Sequence, residues 1–95
     1  MSQVIASPNM GANLPLVPHY YFDTRDGLER ITDDVGLDFD NLHAARDEAT
    51  RGLADLAKEA LPGSERRELS IEVRDHMRRL LLRAALWFEV AVSTG

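Results

Sequence analysis

Apolar side chains recur at steps of three or four residues between Asp40 and Leu61, which predicts one long amphipathic helix. This spacing places small and medium apolar side chains on a single helix face: Leu42, Ala45, Ala49, Leu53, Leu56 and Ala60. We expect the Asp40 carboxylate to cap the first turn, because the first backbone N–H groups of a helix have no partner within it. Pro62 and Gly63 end the helix, since proline cannot continue the hydrogen-bond ladder and glycine accepts a left-handed conformation.

A two-residue alternation of apolar and polar positions predicts strands on both sides of this helix. Residues 18–24 alternate in this way, and the Asp26-Gly27 pair that follows is typical of a tight hairpin turn. A returning strand is therefore predicted over residues 28–32, and a short extended run over residues 35–39 leads into the helix. Residues 69–73 alternate again, which indicates a strand with one buried face.

The apolar pattern of residues 76–90 is compatible with two structures. With a period of two, alternate residues from Leu80 to Val90 form one unbroken apolar face. With a helical period, Met77, Leu80, Ala84 and Phe88 also fall on one face, and the segment has good intrinsic helix propensity. The pattern alone leaves strand and helix open.

Five short motifs follow one another from Pro18 to Asp75. They are a Pro-x-Tyr-Tyr-Phe strand, an Asp-Gly turn, an acidic-Gly-Leu segment, a Leu-x-x-Ala-x-x-Glu-Ala helix and the end of a later strand. The residues that form them are Pro18, Tyr20, Tyr21, Phe22, Asp26, Gly27, Asp34, Gly36, Leu37, Leu42, Ala45, Glu48, Ala49 and residues 71–75.

In this order and spacing, residues 18–90 resemble a family of small uncharacterised bacterial proteins of the domain-of-unknown-function type. The resemblance implies a β-β-α-β-β arrangement with a C-terminal hairpin, and it favours the strand for residues 80–90. The family's final turn usually contains Asp and Gly, whereas residues 76–79 here read His-Met-Arg-Arg. The resemblance implies no catalytic or binding residues, because none are established for the family.

We therefore expect a single α+β domain over residues 18–92, in which one long helix packs on a four-stranded antiparallel sheet. This is the two-layer arrangement that buries one helix stripe and one sheet face together. The strand residues expected to meet the helix are Tyr20, Phe22, Ile31, Leu69, Ile71, Val73, Leu82, Ala84, Leu86 and Phe88. Residues 1–17 lack periodicity and are expected to form a flexible N-terminal tail, with Met10 as an alternative start.

Composition narrows the range of functions. The chain of 95 residues contains no cysteine, which excludes a disulfide framework, a thiolate zinc site and a cysteine nucleophile. It has neither a secretory signal pattern nor an apolar run of the roughly 20 residues that span a bilayer. We therefore expect a cytoplasmic protein without membrane contact. The net charge of −5 opposes a generic attraction to phosphate backbones.

The polar clusters do not have the spacing of a catalytic or metal site. His43 and Asp47 are one helical turn apart but have no convincing third ligand. The aspartates of residues 33–40 do not match a calcium loop, so turn formation and helix capping explain them. Ser70 and Ser93 lack the flanking glycines of a nucleophile elbow. We expect no enzyme activity, no cofactor and no metal.

The sheet face away from the helix carries the most suggestive residues. If Leu82 and Leu86 point to the helix, a different set points away: Tyr21, Leu81, Arg83, Ala85 and Trp87. An uncovered face with Trp and Tyr suits a protein interface, because these side chains provide large contact area at low entropic cost. A homodimer is the simplest such interface, and scattered exposed apolar residues without function are the alternative.

The same face also suits other partners. Aromatic and Arg side chains on a sheet can stack single-stranded bases, although the net charge, Glu72 and Glu89 oppose this. A small acidic protein could also bind a basic partner, as antitoxin-like or regulatory modules do. The protein-interface hypothesis predicts that Trp87→Ala disrupts assembly at any salt concentration. The nucleic-acid hypothesis predicts that Arg83→Ala weakens binding and that affinity falls steeply with salt.

Overall fold

The computed structural model describes residues 17–94, which form five strands and one helix. In chain order these are β1 His19–Asp26, β2 Glu29–Ile31, β3 Leu37–Asp38, α1 Leu42–Ala60, β4 Arg66–Arg74 and β5 Leu80–Glu89. The predicted α+β class is confirmed, and the two-residue strand β3 adds a fifth strand to the expected four. Of the predicted tail, residues 1–16 lie outside the described residues.

The strands form one antiparallel sheet in the order β2-β1-β4-β5, and β3 pairs with the beginning of β1. The two hairpins join through β1 and β4, with Phe22 opposite Val73. The strand prediction for residues 80–90 is confirmed, because residues Leu80–Glu89 form strand β5. Alternate residues of β5 lie on the same faces of the sheet as their partners in β4. Within residues 17–94, β5 pairs only with β4, so its other side is an open sheet edge.

Helix α1 begins at Leu42 because Asn41, and not Asp40, is its N-cap. Asn41 has an extended backbone, and its Oδ1 accepts a hydrogen bond from the Ala44 N–H at 2.9 Å. The prediction of Asp40 as the cap was wrong by one position, since both side chains can cap and only the backbone path selects between them. At the other end, Gly63 adopts φ +86° and turns the chain away, in agreement with the predicted helix stop.

The core lies between α1 and the central strands. Its buried apolar side chains are Tyr20, Ala45, Ala49, Leu53, Leu69, Ile71 and Val73, all of which belong to the predicted core. Ala45 and Ala49 are completely buried, so the helix backbone lies close to the sheet. Half-buried side chains complete the margin of this core: Phe22, Leu56, Ala60, Leu82, Ala84 and Leu86.

Two residues predicted in the core are exposed. Ile31 is 64% exposed because α1 packs mainly on β4 and β5, whereas Ile31 belongs to the three-residue edge strand β2. Leu42 is 38% exposed at the first turn of the helix. Both predictions were wrong because periodicity identifies an apolar face but not how far the opposing layer extends.

Strand β4 is buried on both faces, although its alternation predicted only one buried face. Every residue from Leu69 to Val73 is buried, including the polar side chains of Ser70 and Glu72. Strands β1 and β5 flank β4, and long arginine side chains lie over its polar face. Polar residues in a strand are therefore buried here by neighbouring side chains and not by the helix.

The turn between β2 and β3 is organised by Asp33. Its Oδ1 accepts hydrogen bonds from the N–H groups of Val35 and Gly36, both at 3.0 Å. Its Oδ2 accepts a third bond from the Phe22 N–H, also at 3.0 Å. The turn-forming role predicted for the acidic cluster is thus confirmed for Asp33.

We expect Gly36→Ala to destabilise the domain more than Gly27→Ala. Both glycines have positive φ, which costs an alanine about 1 kcal/mol. A Cβ on Gly36 would also lie 2.6 Å from the Tyr20 carbonyl oxygen, whereas a Cβ on Gly27 would meet nothing within 4 Å. Urea unfolding followed by circular dichroism measures the two losses. Equal losses would contradict the role of Gly36 as a close-contact position.

Candidate interaction surface

The outer face of the sheet, opposite α1, consists of alternate residues of four strands. They are Arg30 of β2, Tyr21, Asp23 and Arg25 of β1, Arg66, Glu68, Ser70, Glu72 and Arg74 of β4, and Arg83, Ala85, Trp87 and Glu89 of β5. The pairing register arranges these side chains in rows across the strands. Asp23, Glu72 and Arg83 form one row, and the next row contains Arg25, Ser70 and Ala85.

Asp23 is a completely buried carboxylate at the centre of this face. It accepts hydrogen bonds from the Arg30 Nη2 at 2.8 Å, the Arg74 Nε at 3.2 Å and the backbone N–H of Asp33 at 2.9 Å. Burial by itself raises the pKa of Asp23. The hydrogen bonds from the Asp33 N–H and from Arg30 outweigh burial, so the pKa lies below its ordinary value. Asp23 is therefore held in its ionised form.

Glu72 is the second buried carboxylate, and it is 7% exposed. The Arg74 Nη2 donates a hydrogen bond to it at 2.9 Å. Guanidinium nitrogens of Arg25, Arg30 and Arg83 approach it at 3.6 Å, 3.9 Å and 3.9 Å respectively. Ionised groups can be buried in this way only when opposite charges and hydrogen bonds replace water. The centre of the outer face is therefore a layer of ion pairs and not an uncovered apolar surface.

Tyr21 lies at one end of the outer face, beneath Arg78. The guanidinium carbon of Arg78 is 4.5 Å from the centroid of the Tyr21 ring, which is a cation–π contact. The His19 ring packs on Tyr21 edge-on, with the centroids 5.0 Å apart. The pairing register places Trp87 opposite Glu68 towards the other end of the face, with only the Arg66–Glu89 row beyond it. The structure therefore does not bring Tyr21 and Trp87 together.

The other four residues predicted for the interface lie along the edge strand β5. Trp87 is 79% exposed, and Ala85 and Arg83 are exposed on the same side of the strand. Leu81 is also exposed and lies at an irregularity of the register near the start of β5. The structure thus gathers Leu81, Arg83, Ala85 and Trp87 on one strand that is accessible from solvent.

The sequence analysis did not identify the open edge that β5 forms within residues 17–94. The Val90 N–H donates to the Glu65 carbonyl at 2.8 Å. In an antiparallel ladder this bond implies that the even-numbered residues of β5 direct their backbone groups to β4. The odd-numbered residues from Arg83 to Glu89 consequently direct their N–H and C=O groups to the open edge. An edge of this kind is a template for a further strand.

The histidines at positions 19 and 43 each pair with one aspartate. No group of three or more His, Asp or Glu side chains within residues 17–94 is placed to hold a metal ion. His43 and Asp47 form an exposed pair at 3.7 Å. His19 bonds Asp38 at 2.6 Å, which raises the pKa of this histidine. In the same part of the chain, no helix is long and apolar enough to cross a membrane.

Comparison with known proteins identifies the family. Residues 19–87 match the family described as a domain of unknown function, DUF6894. The chain belongs to the DUF6894 family. The match begins at the start of β1 and ends at Trp87, so the layer of ion pairs and most of the β5 edge lie within the DUF6894 domain. No curated protein and no solved structure matches the chain.

We expect Asp23→Asn to lower the free energy of unfolding by about 3 kcal/mol at pH 7, because two arginines lose a buried carboxylate. The pKa of Asp23 is lower in the folded protein than its ordinary value of 3.8. Its stabilising contribution is therefore complete above pH 4 to 5 and is lost as the pH falls through the folded pKa. The urea midpoints of the wild-type protein and of the Asp23→Asn variant should converge as the pH falls below about 4. Asp34→Asn, at an exposed aspartate, is the control, and a pH-independent effect of Asp23→Asn would contradict the assignment.

Proposed function

We propose that this DUF6894 domain is a protein-interaction module, and not an enzyme, that self-associates through the open edge of β5. The observation that carries the proposal is the ten-residue edge strand β5, whose outward-facing backbone groups have no partner strand within residues 17–94 and which carries exposed apolar side chains. A second copy of the strand would satisfy these backbone groups and cover these side chains together.

A difference between the two edges of the sheet supports this proposal. Natural proteins protect sheet edges with short strands, charges and prolines. The edge formed by β2 has three residues, two of them charged, and β3 has only two residues. Strand β5 contains neither proline nor lysine, and Arg83 and Glu89 are its only charged residues. Among the described residues, β5 is therefore the longer edge strand and has the lower proportion of charged residues.

Exposed large apolar side chains lie along β5 and the residues after it, and a second group (Leu28, Ile31, Val35 and Leu37) lies in and around the short strands β2 and β3. Those of β5 and the residues after it are Leu80, Leu81, Trp87, Val90 and Val92. Leu82, Ala84 and Leu86 on the opposite face of the strand are only half-buried. A strand added at this edge would cover apolar side chains on both faces of β5. Trp is one of the residue types that contribute most of the binding energy at protein interfaces, and Trp87 is exposed here.

Nucleic-acid binding has less support from the outer face. The guanidinium groups at its centre are engaged by Asp23 and Glu72, and Arg78 covers the Tyr21 ring. The face therefore offers one free aromatic side chain at the Trp87 end and no row of stacking platforms. Enzyme activity likewise has little support, because the two buried carboxylates belong to ion pairs on an open face and not to a cleft.

Light scattering during size-exclusion chromatography of the full chain tests the proposal. We expect the mass of a dimer and a protein-like ratio of absorbance at 260 and 280 nm. Ala85→Pro should raise the dissociation constant at least tenfold, because it removes an N–H that faces the open edge and leaves the bonds to β4 in place. Trp87→Ala should weaken the dimer at low and high salt alike, since its contribution is apolar contact.

Ile31→Ala is the matched control, because it shortens an exposed apolar side chain on the opposite edge. This variant should retain the dimer mass. A wild-type chain that is monomeric at its highest soluble concentration would overturn the proposal. Nucleic acid that co-elutes and is displaced by salt would overturn it in favour of the other hypothesis.

A further inference from the structure

We infer that two copies of β5 pair antiparallel about a twofold axis at Leu86, so that Arg83 lies opposite the partner's Glu89. This inference rests on the self-association proposed above and adds the register of the pairing. It makes the occupant of the open edge a second copy of the same strand, in one specific alignment.

Symmetry and hydrogen bonding limit the alignments to a few. In a twofold antiparallel pair, two opposing residues are equally far from the axis, one on each side. Odd-numbered residues of β5 direct their backbone groups outward, so they must oppose odd-numbered residues of the partner. The axis therefore passes through one residue, and the central candidates are Ala84, Ala85, Leu86 and Trp87.

Charge selects Leu86 among these candidates. Arg83 and Glu89 are the only charged residues between positions 80 and 92, and Leu86 is midway between them. An axis at Leu86 forms two identical Arg–Glu pairs across the interface. An axis at Ala85 would instead place Glu89 against an apolar side chain, the partner's Leu81. Opposite charges that face each other on neighbouring strands stabilise the pairing, whereas unpaired charges do not.

Side-chain size selects the same alignment. With the axis at Leu86, the exposed Trp87 lies opposite the partner's Ala85 on the outer face. On the inner face, Phe88 lies opposite the partner's Ala84, and Leu86 meets the partner's Leu86. Each large ring thus faces a small side chain, which permits close packing without a void. An axis at Ala85 would leave two small side chains opposed, and an axis at Trp87 would oppose two tryptophans.

The contacts that Arg83 and Glu89 make within one chain leave both available. Arg83 is 3.5 Å from Glu68, and the Arg66 guanidinium donates to Glu89 at 3.3 Å. Arg83 also lies 3.9 Å from the buried Glu72, which has a shorter hydrogen bond from Arg74 at 2.9 Å. Arg66, Glu68, Arg83 and Glu89 are substantially exposed to solvent. Ion pairs of this kind contribute little to stability, so the side chains can turn to the partner at small cost.

Charge reversal in two separate proteins tests the register. Arg83→Glu and Glu89→Arg should each raise the dissociation constant of the homodimer at least tenfold, because like charges then oppose each other twice. An equimolar mixture of the two variants should restore the dimer mass, since both cross-strand pairs are again of opposite sign. Sedimentation velocity measures the masses, and circular dichroism confirms that each variant is folded. A folded pair of variants that stays monomeric in the mixture would overturn the register.

Single cysteines provide a second test that does not depend on charge, because the chain has no cysteine of its own. An axis at Leu86 brings the two Leu86 Cα atoms about 4.5 Å apart in a non-hydrogen-bonded pair, which permits a disulfide. Under mild oxidation, Leu86→Cys should form covalent dimers, and Ala84→Cys, Ala85→Cys and Trp87→Cys should not. Cross-linking at one of these other positions and not at position 86 would overturn the register but would still support a dimer formed through β5. A monomeric wild-type chain would overturn both proposals, and a dimer that none of these cysteines cross-links would place the interface away from β5.

Discussion

The buried carboxylate of Asp23 is the constraint on which the outer half of the structure depends. Its hydrogen bonds reach β2 through Arg30, β4 through Arg74 and the turn before β3 through the Asp33 N–H. A buried charge is tolerated only with such partners, so the positions of three neighbouring segments are coupled to one side chain. With Glu72 beside it, Asp23 also explains how β4 can be buried on both faces in a domain with a single helix.

This layer of ion pairs changes what the outer face can do. An apolar outer face would offer a broad area for a partner, but here the centre of the face is occupied by side chains that already bind one another. Exposed apolar side chains lie at the margins of the sheet, and along β5 the exposed Trp87 lies beside backbone groups that face the open edge. The self-association proposed above therefore uses the edge formed by β5, which is longer than the three-residue, charged strand β2.

Much of the inner half of the domain could be predicted from local pattern. The helix, the Asp26-Gly27 hairpin and all seven buried core residues follow from periodicity and turn chemistry. The errors occur where contacts with residues far away in the chain determine the local structure. Asn41 and Asp40 cap equally well, and only the path of the chain from β3 selects Asn41. Ile31 has the correct face for the core but lies on a strand that the helix does not cover.

By itself, the sequence determined which residues share a face, because the periods of a helix and of a strand are properties of the local backbone. It therefore placed Leu81, Arg83, Ala85 and Trp87 on one side of β5, and Tyr20 and Val73 in the core. Only the tertiary structure decided that Asp23 and Glu72 are buried, that Tyr21 and Trp87 lie at opposite ends of the sheet, and that β5 is an open edge. Strand order and register arise from contacts between residues far apart in the chain, and these contacts leave no mark in the local pattern.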